Sequence, residues 1–271
     1  MTQMTPIGKD VLELRASSMM EAFRLTMDWT KRLDDGGWFW FRGVNDCSFE
    51  LEPGAYWRPS YDEFSPLLDF VQEGRAYADI GELDDWKTYY LAQHNGIPTR
   101  LLDWTESFSA ALFFALDGWN GSTTPCVWVM RPEYLNELSV GWRGLISPEQ
   151  NKELEIWLPR KIRKGANKVE SADGKATYNS SMPLAIYPRK GNSRMIAQQG
   201  TFTIHGTEKI KLNKWIVNSA SNPNEIICKV ILDGWPKEES LRQLQALGIR
   251  RHTMYPDLHN YIQHLRAYYD W

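Results

Sequence analysis

Arg42 closes an aromatic run, Trp38-Phe39-Trp40-Phe41, and is followed at once by Gly43. A guanidinium at the end of a strand that is apolar on both faces cannot shed its proton and is costly to bury unpaired, so it must find an anion. A second concentration of chemistry is the string Tyr89-Tyr90-Leu91-Ala92-Gln93-His94-Asn95-Gly96-Ile97-Pro98-Thr99-Arg100-Leu101-Leu102-Asp103-Trp104-Thr105. It sets polar and charged side chains between a helix end and a helix start, and helix N-termini with free N–H groups attract phosphates and carboxylates. Two readings stay open. In one, Arg42, His94 and Asp103 gather in a pocket, since perturbable groups collected at one place mark sites more than scaffolds. In the other, Asp103 and Thr105 only cap the next helix, Arg42 or Arg100 pairs with Asp103, and His94 is a hydrogen-bonded helix-end histidine.

Other sources of chemistry are sparse. The chain has no GxGxxG after a strand, no GxxxxGK[ST], no HExxH and no GxSxG. His259 and His264 sit five apart in the last helix, which does not give the shared face of an i,i+4 metal pair, so no metal site is expected. Cys47, Cys126 and Cys228 are scattered without a CxxC pair, which fits a reducing compartment and not a disulfide framework. The formal charge of −3 argues against a generally basic nucleic-acid coat. Met1 to Asp10 lacks the layout of a signal peptide and no apolar stretch approaches the about 18 residues of a membrane span, so a cytoplasmic protein without a membrane partner is expected. Thirteen Trp and twelve Tyr in 271 residues supply many amphipathic rings, which line pockets but also fill cores.

The elements that must position these residues follow from periodicity and punctuation. Ser17 or Ser18 caps a first helix over about residues 17–33, stopped at Asp35-Gly36-Gly37. Trp38 to Phe41 reads as a buried strand, and Phe64, Leu67, Leu68 and Val71 recur at helical spacing. Asp84-Asp85 open a helix that Gly96 and Pro98 stop, and Pro98 to Leu102 is extended. Asp103 or Thr105 then caps a helix whose Phe108, Ala111, Leu112 and Ala115 make a narrow face that must pack closely. Strands are expected at Val127 to Met130, Leu184 to Tyr187, Met195 to Ala197, Thr201 to Ile204 and Glu225 to Leu232, and closing helices at Lys237 to Leu247 and Pro256 to Tyr269. The polar stretch 150–181, with Arg160, Lys161, Arg163, Lys164 and Lys168, reads as an exposed helix and mobile loop, a solvated face with capture of RNA or DNA as the alternative. The mixed order predicts one α+β domain over residues 1–271, with a core at 38–267.

Trp40 to Gly43, the string Ala92 to Thr105, the Ala110 to Ala115 helix, Arg194, Gln198-Gly200-Phe202, and Leu247-Gly248 with Tyr255-Pro256-Asp257-Leu258 together resemble the FRG domain, in the family's order. A more distant similarity is to ADP-ribosyltransferases. These place an aromatic-Arg-Gly at the end of the first core strand, a Ser-Thr-Ser-like triplet before an Ala- and Phe-rich helix, and a catalytic glutamate on a later strand. Phe41-Arg42-Gly43 fits the first, and Asp103-Trp104-Thr105 stands in the place of the triplet. Arg194, Gln198 and Gln199 stand where the glutamate is expected, within Asn192 to Ile204. The resemblance implies a split mixed or antiparallel sheet with flanking helices and a site for NAD. Arg42, His94 and Asp103 would be catalytic, with Asp103 or Glu106 as the acid. Trp40, Arg42, Gly43, Tyr90, Arg100, Trp104, Thr105, Arg194 and Gln198 would bind the dinucleotide, the aromatic ones by stacking. It further implies transfer to RNA, DNA or protein by a toxin-like or phage-defence effector, with an antitoxin as partner. A nucleotide or nucleic-acid binding module without turnover and a protein-interaction domain are the alternatives.

Overall fold

The structure is a computed structural model and describes residues 10–33, 36–77 and 84–270. Residues 1–9, most of the segment expected not to be a signal peptide, and Asp35 of the expected helix stop lie outside the described residues.

The chain opens with β1 (Leu12–Ala16), whose Leu12, Leu14 and Ala16 alternate with charged residues, and α1 (Met19–Arg32), where the Ser18 side chain accepts the Glu21 N–H. Next come β2 (Trp40–Val44), α2 (Phe64–Glu73), α3 (Asp85–His94), β3 (Leu101–Thr105), α4 (Phe108–Leu116), β4 (Cys126–Met130) and α5 (Pro132–Val140). The middle holds α6 (Pro159–Ile162), β5 (Lys168–Glu170), β6 (Thr177–Asn179), β7 (Leu184–Ile186), α7 (Ser193–Ala197) and β8 (Gly200–Ile204). The chain continues through α8 (Leu212–Ser219), β9 (Ile227–Leu232), α9 (Lys237–Ala246), α10 (Arg251–Met254) and α11 (Leu258–Tyr269).

Seven strands form one sheet in the order β1-β9-β4-β2-β3-β8-β7. β1 and β9 are parallel and the remaining neighbours antiparallel, so the fold is α+β with a mixed sheet and flanking helices. Pairing is uneven. β2 matches β4 from Trp40↔Met130 to Val44↔Cys126, and β3 matches β8 from Leu101↔Ile204 to Thr105↔Gly200. Between β2 and β3 only Phe41↔Thr105 is in register, so the sheet opens there.

One face of the sheet carries a cluster built on α1 and α4, where Phe41, Ala111, Ala115, Val127 and Val230 meet. α4 lies so close to β2 that a Cβ on Gly43 would fall 1.7 Å from the Ala111 carbonyl oxygen. The small-residue face expected of this helix therefore does what its composition requires. A second cluster joins Tyr89, Tyr90 and Leu101 to Leu154, Trp157 and Phe202. A third holds Trp40, Leu102, Trp104, Trp128 and Met130.

Three local expectations are corrected. Met195 to Ala197 is helical, because Asn192 caps α7 by accepting the Met195 N–H. Asp103 to Thr105 is strand and not helix cap; ladder partners in β8 extend it, and Ser107 caps α4 instead. The stretch 150–181 is packed at its two ends, where Leu154, Trp157 and Tyr178 are buried, while residues 163–170 between them are exposed as expected; Arg160 pairs with Asp85 at 2.6 Å.

Candidate functional site

Where β2 and β3 part, a cleft of about 280 Å³ opens, walled by β2, β3 and the end of α3, with α4, α7, β8 and Tyr255 completing it. Arg42, Gly43, Gln93, His94, Asp103, Thr105, Arg194 and Gln198 all line it.

Arg42 is half-buried at the opening, and its Nη1 donates to the Asp103 main-chain oxygen at 2.8 Å. The guanidinium thus occupies a carbonyl that the missing β2–β3 ladder leaves free. No ion pair joins Arg42 to the Asp103 carboxylate among the described residues, so the structural ion pair offered by the sequence is replaced by a bond to the main chain. Burial pulls the Arg42 pKa below its ordinary value, and the Asp103 charge opposes this. Its remaining N–H groups have no protein acceptor among the described residues, which suits a cation waiting for an anion.

Asp103 exposes its carboxylate to the cleft, and its Oδ2 accepts from Gln93 Nε2 at 2.8 Å. His94, the last residue of α3, is half-buried; burial and the nearby Arg194 charge lower its pKa below the ordinary 6.5, against Asp103 and Asp257. Arg194, on α7, lies over the Tyr255 ring at 4.7 Å. Thr105 ties the wall together: its hydroxyl donates to the Gln198 main-chain oxygen at 2.6 Å and accepts the Ser107 N–H. Gln198 spends its side-chain amide on the Met254 carbonyl at 3.0 Å, so it braces α10 against the end of α7.

The other predicted site residues are placed differently. Arg100 is buried away from the cleft, salt-bridged to Glu63 and donating to the main-chain oxygens of His205 and Trp157. Each of its three nitrogens has an acceptor inside the protein, and it neither lines the cleft nor pairs with Asp103. Trp40 is fully buried in the cluster with Trp128 and Met130 and is not a cleft residue. Trp104 borders the cleft, but its indole packs in that same cluster and its Nε1 donates to Thr203 Oγ1 at 3.2 Å. Tyr90 lines the wall with its ring already stacked on Phe202, 5.3 Å between centroids, and on Trp86. Glu106, the other acid considered, is salt-bridged to Lys190 and lies outside the cleft lining. The lining rings that the sequence did not assign to the site are Phe41, Phe114, Phe202 and Tyr255. Tyr255 stood within the family-like tail Tyr255 to Leu258, which was the available signal.

The arrangement is a cationic recess with one carboxylate, Asp103, among its lining residues. No group of three or more His, Cys, Asp or Glu among the described residues could hold a metal ion. No described helix is long and apolar enough to cross a membrane. No significant match to the chain is found among curated proteins or solved structures. Residues 37–123, running from just before the strand that bears Arg42 to just beyond the helix packed on it, match the FRG domain.

Proposed function

We propose that the cleft binds NAD and that the protein is an ADP-ribosyltransferase-like enzyme acting on a macromolecule. The observation that carries this reading is the unpaired company in the cleft: two guanidiniums, Arg42 and Arg194, and the Asp103 carboxylate share it without an ion pair between them among the described residues. Separate cationic and anionic stations suit a ligand that carries phosphate at one end and develops positive charge at the other. The opening of the sheet at Arg42 agrees with the split sheet that the resemblance implied. A cleft of 280 Å³ is small beside the roughly 300–1,000 Å³ of ordinary ligand sites, so it suits the nicotinamide-ribose end, with the adenosine half lying toward the surface.

In this reading Arg42 holds phosphate by its fork of donors. Asp103 faces the ribose and stabilises the oxocarbenium-like transition state as the C1′–nicotinamide bond breaks. The electron pair leaves with nicotinamide, the acceptor's nucleophile bonds C1′, and its proton passes to His94, which the lowered pKa keeps neutral at pH 7. A toxin or defence effector, held in check by an antitoxin, is the biological role we attach to this chemistry.

A second reading, nucleotide binding without turnover, is favoured by one observation: the turn into β8 carries Gln198, Gln199 and Gly200 where the transferase resemblance expects glutamate. Calorimetry with NAD and mass-spectrometric detection of released nicotinamide, with protein, RNA and DNA as acceptors, separate the two. Arg42→Ala should weaken NAD binding about tenfold or more, and Asp103→Asn should keep binding while cutting release on the order of 100-fold. Binding without release leaves the second reading, and absence of binding by the unmodified chain overturns both.

A further inference from the structure

Gln93 stands beside His94 in the last turn of α3, half-buried at the cleft wall. Its amide is held at both ends. Thr99, fully buried, donates its hydroxyl to Gln93 Oε1 at 2.6 Å, while its own oxygen accepts the Leu101 N–H at 3.0 Å. The hydroxyl has a single proton, and this geometry commits it to Gln93. With Oε1 acting as acceptor toward Thr99, the end of the amide turned to Asp103 is the NH₂ group, which donates to Oδ2 at 2.8 Å. Asp103 is therefore gripped twice, by Arg42 at its main-chain oxygen and by Gln93 at one carboxylate oxygen.

We propose that Gln93 is a positioning residue that aims the Asp103 carboxylate into the cleft, with Thr99 fixing the direction of its amide. The inference rests on the reading of the cleft as a ribosyl-transfer site, because there a carboxylate is useful only if it is held against the sugar. A donor on Oδ2 leaves Oδ1 for the ligand and keeps the side chain from turning to Arg42 or Arg194, where an ion pair would neutralise both. A glutamate at position 93 would instead set one carboxylate against another.

The test uses the full chain with Gln93→Ala, Gln93→Glu, Thr99→Val and Thr99→Ser. Three quantities are measured: the Kd for NAD, the kcat for nicotinamide release, and the Asp103 rotamer in ligand-free crystals. Gln93→Ala should leave Kd within about threefold, lower kcat about tenfold or more, and spread the Asp103 carboxylate over more than one rotamer. Gln93→Glu should lower kcat further than Gln93→Ala. Thr99→Val should act in the same direction, and Thr99→Ser, which keeps the hydroxyl, should recover most of the loss; if Thr99→Val does not fold, the two Gln93 variants decide. A single unchanged Asp103 rotamer in Gln93→Ala, or a kcat that falls no further than affinity does, overturns the proposal. A wild-type chain that binds NAD without releasing nicotinamide overturns the transfer reading instead, and the crystal structures still decide what Gln93 does.

Discussion

Arg42 lies in a strand of the sheet and Arg100 just before one, yet they end in opposite circumstances. Arg100 is enclosed by Glu63, His205 and Trp157, while Arg42 has one protein acceptor and a cleft in front of it. Replacing Arg42 by lysine keeps the charge but loses the planar fork, so the ammonium cannot serve both the Asp103 carbonyl and a phosphate. Arg42→Lys should weaken ADP-ribose binding about tenfold or more by calorimetry and cost about 1.5–3 kcal/mol of stability from the lost charged hydrogen bond. Equal affinity in the variant would remove Arg42 from the site. Sequence alone made Arg42 and Asp103 visible, since aromatic-Arg-Gly and a dense polar string are local patterns. It could not separate Arg100 from them, because the partner that satisfies Arg100 is Glu63, 37 residues away. His205 was equally hidden. It is fully buried, and burial, reinforced by Arg100 and Arg42, pushes its pKa down from 6.5 to about 3. Above pH 6.5 both the folded and unfolded rings are neutral, and His205 adds no pH dependence. As pH falls from 6.5 toward about 3 the unfolded ring takes a proton that the folded ring refuses, so stability is lost on acidification. Urea unfolding at pH 6 and pH 5 should show wild type losing about 1 kcal/mol more than His205→Gln over that step. Matching losses in the two proteins would mean that the buried ring accepts its proton freely.

At the scale of elements, punctuation was legible and pairing was not. Ser18 and Asp84 cap the helices they precede, and Gly96 and Gly248 take positive φ just beyond α3 and α9, as their positions in the sequence predict. β1 carries an alternation, Leu12, Leu14 and Ala16, that is short and interrupted by charged residues and so gives only a weak strand signal. The run Asp103-Trp104-Thr105 looks like a cap because Asp and Thr are cap residues; its strand form depends on β8, about a hundred residues on, which no local pattern reveals. The true cap is Ser107, whose Oγ accepts the Ala110 N–H at 3.2 Å, and Ser107→Ala should cost about 1 kcal/mol in urea unfolding. Gly43→Ala should be much worse. Its added Cβ would lie 1.7 Å from the Ala111 oxygen and 2.7 Å from the Ala115 nitrogen, both main-chain atoms of α4 that can yield only if the helix moves off the sheet. A loss of about 3 kcal/mol or more, or failure to fold, is expected, and a variant as stable as wild type would refute the close approach of α4 to β2.

At the scale of the whole molecule, the segment matched to the family is not a self-sufficient unit. Residues 37–123 supply β2, α2, α3, β3 and α4, but β2 and β3 share a single registered pair, Phe41↔Thr105. Each strand finds its main ladder outside the segment, β2 with Cys126–Met130 and β3 with Gly200–Ile204. Cut at these bounds, the segment would expose Trp40, Leu102 and Trp104, which are covered by Trp128, Met130 and Ile227 from elsewhere in the chain. Arg100 and Glu63 would lose the His205 and Trp157 carbonyls that help satisfy the guanidinium, leaving a buried pair half-answered. The cleft would lose Arg194 and Tyr255 as well. A strand pair held by so short a ladder, with a large apolar face uncovered, cannot repay the entropy of ordering the segment. The isolated 37–123 fragment should therefore show narrow amide proton dispersion in NMR spectra and no cooperative urea transition, whereas the full chain unfolds cooperatively. A fragment that folds alone would mean that the β2–β3 opening is not a feature of the sheet but a seam between two units, and the cleft would then have to be assigned to their junction.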